Sequence, residues 1–315
     1  MGSLSPVPNL PILDLKQDHN LKPGTSLWQK RCSEVRQALE EYGCFIAEYN
    51  KLSPEFRDDM FGVMKELFDL PTLTKMQNKY DKPLNGYVGQ IPKLPLHESM
   101  GIDDATSLNS TQHFTNLMWP NGNPHFCECL YEYAKIAAEI DGIVSRMIFE
   151  SYGAQKHLRS YMDSTCYLLR LIKTGVPNGD HEHNLGFVSH TDKSFTTILH
   201  QNHVDGLQVD TKDGHEIDVH FSPSSFVVIA GDALMAWSSD RIKSPSHRVI
   251  MKGKVDRYSM GLFAFNSGII ETPEELIDEE HPLMYKPLNH IGLLHFYRTE
   301  EGYKSECPLK AYCGI

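Results

Sequence analysis

Between Thr165 and Phe265 the chain breaks into seven short runs rich in β-branched and aromatic residues: Thr165–Ile172, Gly186–Leu199, Gly206–Val209, Ile217–His220, Ser225–Ile229, His247–Ile250 and Tyr258–Phe265. Turn signals such as Asp213-Gly214 and Pro223 separate them, and no helix-period segment intervenes. Many short strands in succession imply an antiparallel sandwich or barrel.

The flanks read differently. Leu10, Ile12 and Leu13 predict a short strand. Residues 26–43 predict an amphipathic helix that Ser26 can cap and Gly43 ends, with Leu27, Val35, Leu39 and Tyr42 near one face. Cys44-Phe45-Ile46-Ala47 follows as a buried strand, then a second helix over 53–69, opened by Ser53-Pro54-Glu55 and stopped by Pro71. Met60, Phe61, Met64 and Phe68 are its core residues. Residues 80–125 are rich in Gly, Pro and Asn and predict a long irregular stretch. A third helix is expected over 127–152, and the tail returns to helix from Thr272-Pro273-Glu274-Glu275. The expected layout is an N-terminal helical and irregular region (1–125), a long helix plus β core (126–270) and a helical tail (271–315), in one compact unit.

Acidic residues outnumber basic ones, 41 to 30, for a formal charge of −11. Such a surface repels phosphate backbones and anionic lipid, so neither nucleic acid nor membrane is an expected partner. No run approaches the ~18 apolar residues of a spanning helix. The seven cysteines are odd in number and scattered, with no Cys-x-x-Cys. They predict free thiols in a reducing, cytoplasmic setting, with Cys127-Glu128-Cys129 as ordinary packing. Prolines stand near the start where a signal peptide needs an apolar run, and Pro6 stands where a myristoylation signal wants Ser or Thr. A monomer is the default expectation.

The informative segment is Ser189-His190-Thr191-Asp192, inside the predicted strand 186–199. Side chains two apart on a strand share a face, which makes His190 and Asp192 two ligands for one metal. His247, 57 residues after His190, opens a later strand and is the candidate third ligand. Two imidazoles and one carboxylate leave about three open positions on an octahedral Fe(II), enough for O2 and a co-substrate. Ten residues beyond His247 come Arg257-Tyr258-Ser259, again spaced by two. A guanidinium with a neighbouring hydroxyl suits the distal carboxylate of a dicarboxylic 2-oxo acid chelating the same iron.

With these motifs in place, the sequence resembles the plant 2-oxoglutarate/Fe(II)-dependent dioxygenases over nearly its whole length. The resemblance includes Pro11 to Leu15, Glu41-Tyr42-Gly43-Cys44-Phe45, Gly86-Tyr87, Trp119-Pro120, Gly231-Asp232 and Glu280-His281-Pro282. It looks closest to the branch acting on glucosinolate side chains and its uncharacterised relatives, with the auxin-oxidising branch more distant. The resemblance implies a distorted double-stranded β-helix (jelly roll) holding Fe(II), 2-oxoglutarate and O2, with ascorbate as a candidate reductant. The implied reaction hydroxylates, desaturates or cyclises a small specialised metabolite and releases succinate and CO2. In relatives the position of Phe263 lines the substrate pocket, and by the same analogy His113 and Thr115 reach it. One departure stands out. Relatives carry Asn-Tyr-Tyr on the strand before the iron ligands, and this chain has Leu169-Arg170-Leu171-Ile172. Tyr167 and Arg170 lie nearby without an assignable role.

Several other residues have plainer readings. His181-Glu182-His183 follows a Gly/Pro/Asn run and reads as a polar loop. His200, His203, His215 and His220 read as surface or hairpin residues, and Asp232 as a turn residue beside the site. Three rival functions stay open: a zinc hydrolase on the same ligands, a triad oxidase that needs no 2-oxoglutarate, and a non-catalytic binding protein of the same fold.

Overall fold

The computed structural model describes residues 9–16, 21–177 and 184–314. The strands are β1 (Ile12–Asp14), β2 (Cys44–Glu48), β3 (His97–Asp103), β4 (Thr165–Thr174), β5 (Leu185–His190), β6 (Thr196–Gln201) and β7 (Leu207–Asp210). They continue with β8 (Glu216–Asp218), β9 (Ser225–Ala230), β10 (His247–Ile250), β11 (Arg257–Asn266), β12 (Ile269–Ile270) and β13 (Leu288–Asn289). The larger sheet has the order β1-β2-β9-β6-β11-β4-β3 and the smaller one β5-β10-β7-β8. All neighbours in these two sheets are antiparallel except β1 with β2. From β4 to β11 the chain crosses repeatedly between the two sheets, the winding of a jelly roll.

The helices are α1 (Ser26–Tyr42), α2 (Pro54–Asp69), α3 (Thr72–Lys75), α4 (Leu108–Met118), α5 (Pro124–Ser151), α6 (Gln155–Ser164), α7 (Asp232–Trp237), α8 (His290–Phe296), α9 (Glu300–Lys304) and α10 (Pro308–Cys313). Thr25, not Ser26, caps α1, its hydroxyl accepting from the Trp28 N–H at 3.2 Å. Gly43 ends that helix at φ 70°, and a Cβ there would lie 2.4 Å from the Lys243 carbonyl oxygen. Ser53 caps α2 as the sequence predicts. The long helix α5 packs against α1, α2, α4 and α6 and sends Ile140, Val144 and Ile148 into a core that runs from Leu13 to Cys313.

Three expectations need correction. Residues 80–125 are not irregular throughout, because they contain β3 and α4. β3 is ordered by pairing along its whole length with β4, which its own composition does not advertise. α4 buries Thr111, Phe114, Thr115 and Met118, a helical stripe disguised by its threonines. The tail is not helical from Thr272, where only a 3-10 turn forms over Glu274–Leu276, and helix resumes at His290. Pro282 and Pro287 interrupt the segment between. Finally, the predicted strand 186–199 is two strands, β5 and β6, in different sheets.

Candidate functional site

β5 and β10 are adjacent and antiparallel, with His190 directly opposite His247. The two rings lie 4.3 Å apart between centroids. Asp192 stands past the end of β5, where the chain leaves the smaller sheet for the larger one. His190 and Asp192 therefore do not share a strand face. The crossover instead turns the carboxylate inward, and one oxygen, Oδ1, lies 3.7 Å from Nε2 of each histidine. Donor atoms about 2 Å from a common ion have separations of this order.

Backbone groups fix the imidazoles. Nδ1 of His190 lies 2.9 Å from the Val188 carbonyl oxygen, and Nδ1 of His247 lies 3.2 Å from that of Pro245. A carbonyl can only accept, so each Nδ1 carries the proton and each Nε2 presents a lone pair to the centre. The hydroxyls of Ser189 and Ser246, each one residue ahead of a histidine, meet at 2.6 Å. The other oxygen of Asp192, Oδ2, is buried with no hydrogen-bond partner among the described residues. Such an atom is costly unless something coordinates it. Burial, with His247 adding, pushes the His190 imidazole down to about 4, which keeps it a neutral ligand. The donor set and its orphaned oxygen fit a divalent iron.

Neighbouring groups hold the carboxylate's segment. The Asp232 N–H donates to the Asp192 carbonyl oxygen at 2.8 Å. The Asp232 carboxylate accepts from Lys193 Nζ at 2.9 Å and from the Tyr297 hydroxyl. From the tail, the buried His290 donates through Nε2 to the Lys193 carbonyl oxygen at 2.7 Å, while its Nδ1 accepts from the Asn266 N–H. Asp232 is thus a supporting residue beside the site. His290 has no sequence signal that connects it to residue 193.

On the larger sheet, the Arg257 guanidinium is buried and donates to the Ser259 hydroxyl at 3.0 Å. Its Nε and Nη2 both donate to Gln201 Oε1, at 2.9 and 2.7 Å. Gln201, directly opposite Ser259 on β6, is held in turn by Asp205. The guanidinium makes no direct pair with a carboxylate among the described residues, and burial lowers it to about 10 against the opposing pull of the Asp205 charge behind Gln201. It is therefore a buried cation whose hydrogen-bond partners are neutral, a site that favours an anion. Gln201 escaped the sequence reading. Its one signal was a glutamine ending the run on β6, the strand that pairs with the one carrying Arg257.

On β4, Tyr167 faces α5 and donates to Asp141 at 2.9 Å, away from the metal ligands. Leu169 and Leu171 share that outer side in the main core. Ile172 and Arg170 lie on the inner side, opposite Ser259 and Gly261. Phe263 follows on the same inner face of β11, its ring laid back over Gly261. His113, by contrast, is exposed on α4, and the Thr115 hydroxyl is buried and turned back onto the Thr111 carbonyl at 2.8 Å. No contact joins either one to the triad among the described residues.

His200 is not a surface residue. It is fully buried on β6 between Phe61, Tyr133 and Phe226, where burial pushes it down to about 3. His203, His215 and His220 are exposed. His181-Glu182-His183 lies outside the described residues. A second trio, Asp59, His125 and Cys129, is brought together where α2 meets α5, but Asp59 and His125 are exposed and already paired at 2.9 Å.

Two imidazoles and a carboxylate at one end of a jelly roll, facing a buried arginine across it, define a non-haem iron oxygenase. The sequence comparisons agree. Residues 165–266 match the 2OG-Fe(II) oxygenase superfamily, and residues 10–124 match the non-haem dioxygenase in morphine synthesis N-terminal region. The chain belongs to the family of 2-oxoglutarate-dependent dioxygenases. It is 44% identical to the probable 2-oxoglutarate-dependent dioxygenase AOP1.2 of Arabidopsis thaliana, an alignment covering 97% of this chain and 96% of that one. With the Arabidopsis 2-oxoglutarate-dependent dioxygenase AOP3 the identity is 34%, over 100% and 99%. Among solved structures it resembles dioxygenase for auxin oxidation 1 of Arabidopsis in its 2-oxoglutarate complex: TM-score 0.78, 25% identity, 87% of this chain and 100% of that one. The rice dioxygenase for auxin oxidation gives 0.77 and 27%, over 92% and 95%.

Proposed function

We propose that His190, Asp192 and His247 hold the ferrous ion and that Arg257 and Ser259 hold the distal carboxylate of 2-oxoglutarate. The observation that carries this reading is the shared approach of two Nε2 atoms to one oxygen of Asp192, whose second oxygen is otherwise unpartnered. The chemistry supplied there is oxidative decarboxylation of 2-oxoglutarate with O2 to succinate and CO2, coupled to hydroxylation, desaturation or ring closure of the substrate. The protein's own part is orientation. Val188 and Pro245 fix the imidazole protons, Asp232 and His290 fix the segment carrying Asp192, and Gln201 aims the guanidinium. Phe263 and Ile172 line the inner wall and keep water away from the reacting carbon.

The substrate is a small specialised metabolite, a reading supported by the plant relatives and by neighbours solved with small molecules. The three regions 1–125, 126–270 and 271–315 act as one unit, supported by a core that draws on all of them. The acidic surface supports a protein that binds neither nucleic acid nor anionic membrane, and the scattered free cysteines support a reducing, cytoplasmic setting. No described helix is long and apolar enough to cross a membrane. A triad oxidase without 2-oxoglutarate would leave Arg257 buried without an anion, which argues against that rival.

The test is succinate release dependent on iron and 2-oxoglutarate, in the wild type and in His190→Ala. Changes to groups that merely support metal ligands cost 10–100-fold, so removal of the ligand itself is expected to cost at least about 100-fold. Full turnover in the variant would overturn the assignment.

A further inference from the structure

Arg170 lies on β4 between Gly101 of β3 and Gly261 of β11. Directly paired residues point to the same side, which places Arg170 on the inner face with Ser259 and Phe263. The flanking glycines make it the one side chain of its row across these three strands. Its guanidinium donates to the Leu84 carbonyl oxygen and to the Ser99 hydroxyl, both neutral acceptors. The Ser99 hydroxyl lies 3.0 Å from Nε2 of His97, whose ring is tilted against Phe187 at 4.6 Å between centroids, and Phe187 in turn packs edge-on to the metal-ligand candidate His190 at 4.9 Å. Arg170 and His190 both act on the buried His97, which they help burial to push down to about 4.

Most other arginines find carboxylates within the chain, as Arg36 does with Glu40 and Arg248 with Glu216. Arg170 pairs with none among the described residues, a condition it shares with Arg257 on the same inner face. One 2-oxoglutarate has two carboxylates. On the reading proposed above, Arg257 takes one and the metal takes the other. Arg170 sits opposite Gly261, four residues along β11 from Arg257 and so roughly 13 Å away along the strand. Its anion must come from a different molecule.

We propose that Arg170 is the anion anchor of the primary-substrate pocket, so that the molecule oxidised here carries a carboxylate or a sulfate. The planar guanidinium grips either group through paired oxygens, and the anchor orients the remainder of the molecule toward the triad. This inference rests on the dioxygenase reading of the site.

The experiment measures binding without turnover, on the full chain loaded with Mn(II) and 2-oxoglutarate. The probes are matched pairs of similar shape: indole-3-acetate against indole-3-acetamide, and hexyl sulfate against hexanol. In the wild type the charged member of at least one pair is expected to bind ten times tighter or more, and which pair does so distinguishes a carboxylate pocket from a sulfate pocket. In Arg170→Met that preference is expected to fall below twofold while affinity for 2-oxoglutarate stays the same. Arg170→Lys, which keeps the charge, is expected to retain part of the preference and guards against a variant that fails to fold. Absence of a charge preference in both pairs overturns the proposal, as does a loss in Arg170→Met confined to 2-oxoglutarate. A wild-type protein that binds no 2-oxoglutarate overturns the reading beneath it and this inference with it.

Discussion

The two sheets of the jelly roll contribute to the same site under opposite conditions. In the larger sheet β6 and β9 are buried along their whole length, and β11 is buried at every position except Phe263. In the smaller sheet β5 leaves Val188 and Ser189 exposed, and β10 buries only His247 fully. The candidate co-substrate anchor thus stands on a dry wall, while the two imidazoles stand on strands more open to solvent. A buried guanidinium needs fixed neighbours to aim it, and Gln201 and Ser259 take three of its hydrogen bonds and leave its charge for an anion. Metal ligands need a side through which small molecules enter and leave, and the smaller sheet provides one.

The comparison can be broken most directly at the dry wall. Arg257→Met removes three donated hydrogen bonds and strands Gln201 Oε1. Charge-assisted bonds contribute about 1.5–3 kcal/mol each, so KM for 2-oxoglutarate should rise at least about tenfold, with Mn(II) affinity unchanged. Equal losses for both ligands would mean that the wall and the ligand rim are not separable.

A second effect concerns the histidine buried in that wall. His200 is held down to about 3, below the ordinary value near 6.5, because its pocket is apolar. Between those limits the folded chain binds fewer protons than the unfolded chain. Its contribution to stability is whole above about pH 6.5 and declines as the pH falls toward 3, by about 1.4 kcal/mol per pH unit. Urea midpoints taken from pH 7 to 5 should drop, and His200→Leu should flatten the slope. An unchanged slope would place the titrating group elsewhere, with His290, pushed down to about 4, the next to examine.

The smallest effect belongs to the wet sheet. Glu216→Gln breaks the 2.6 Å pair with Arg248, whose members are about one third and one half exposed. Exposed pairs are worth about 0–1 kcal/mol, so the melting temperature should barely move. A large drop would show that the smaller sheet is more tightly integrated than its exposure suggests.

The five candidate site residues could be picked out because their information is local. Arg257 and Ser259 lie two apart on one strand, and His247 opens a run bounded by a turn signal. The strand-face argument for Asp192 used the wrong geometry, since a crossover between sheets, not a strand face, brings it to the two histidines. Gln201 and His290 stayed hidden because their partners lie far away in sequence and are set only by pairing and packing. β3 was missed for the same reason. His200 was within reach, since alternation from Thr196 and Ile198 places it on a face that meets α5.

The tie from His290 to the Lys193 carbonyl reaches across 97 positions of chain. Asp192 is the neighbour of that carbonyl, so this restraint on it forms only after His290 has been made. A nascent chain shorter than that would display both imidazoles without this hold on the carboxylate's segment, so the restraint from His290 is added after all three candidate ligands have been made.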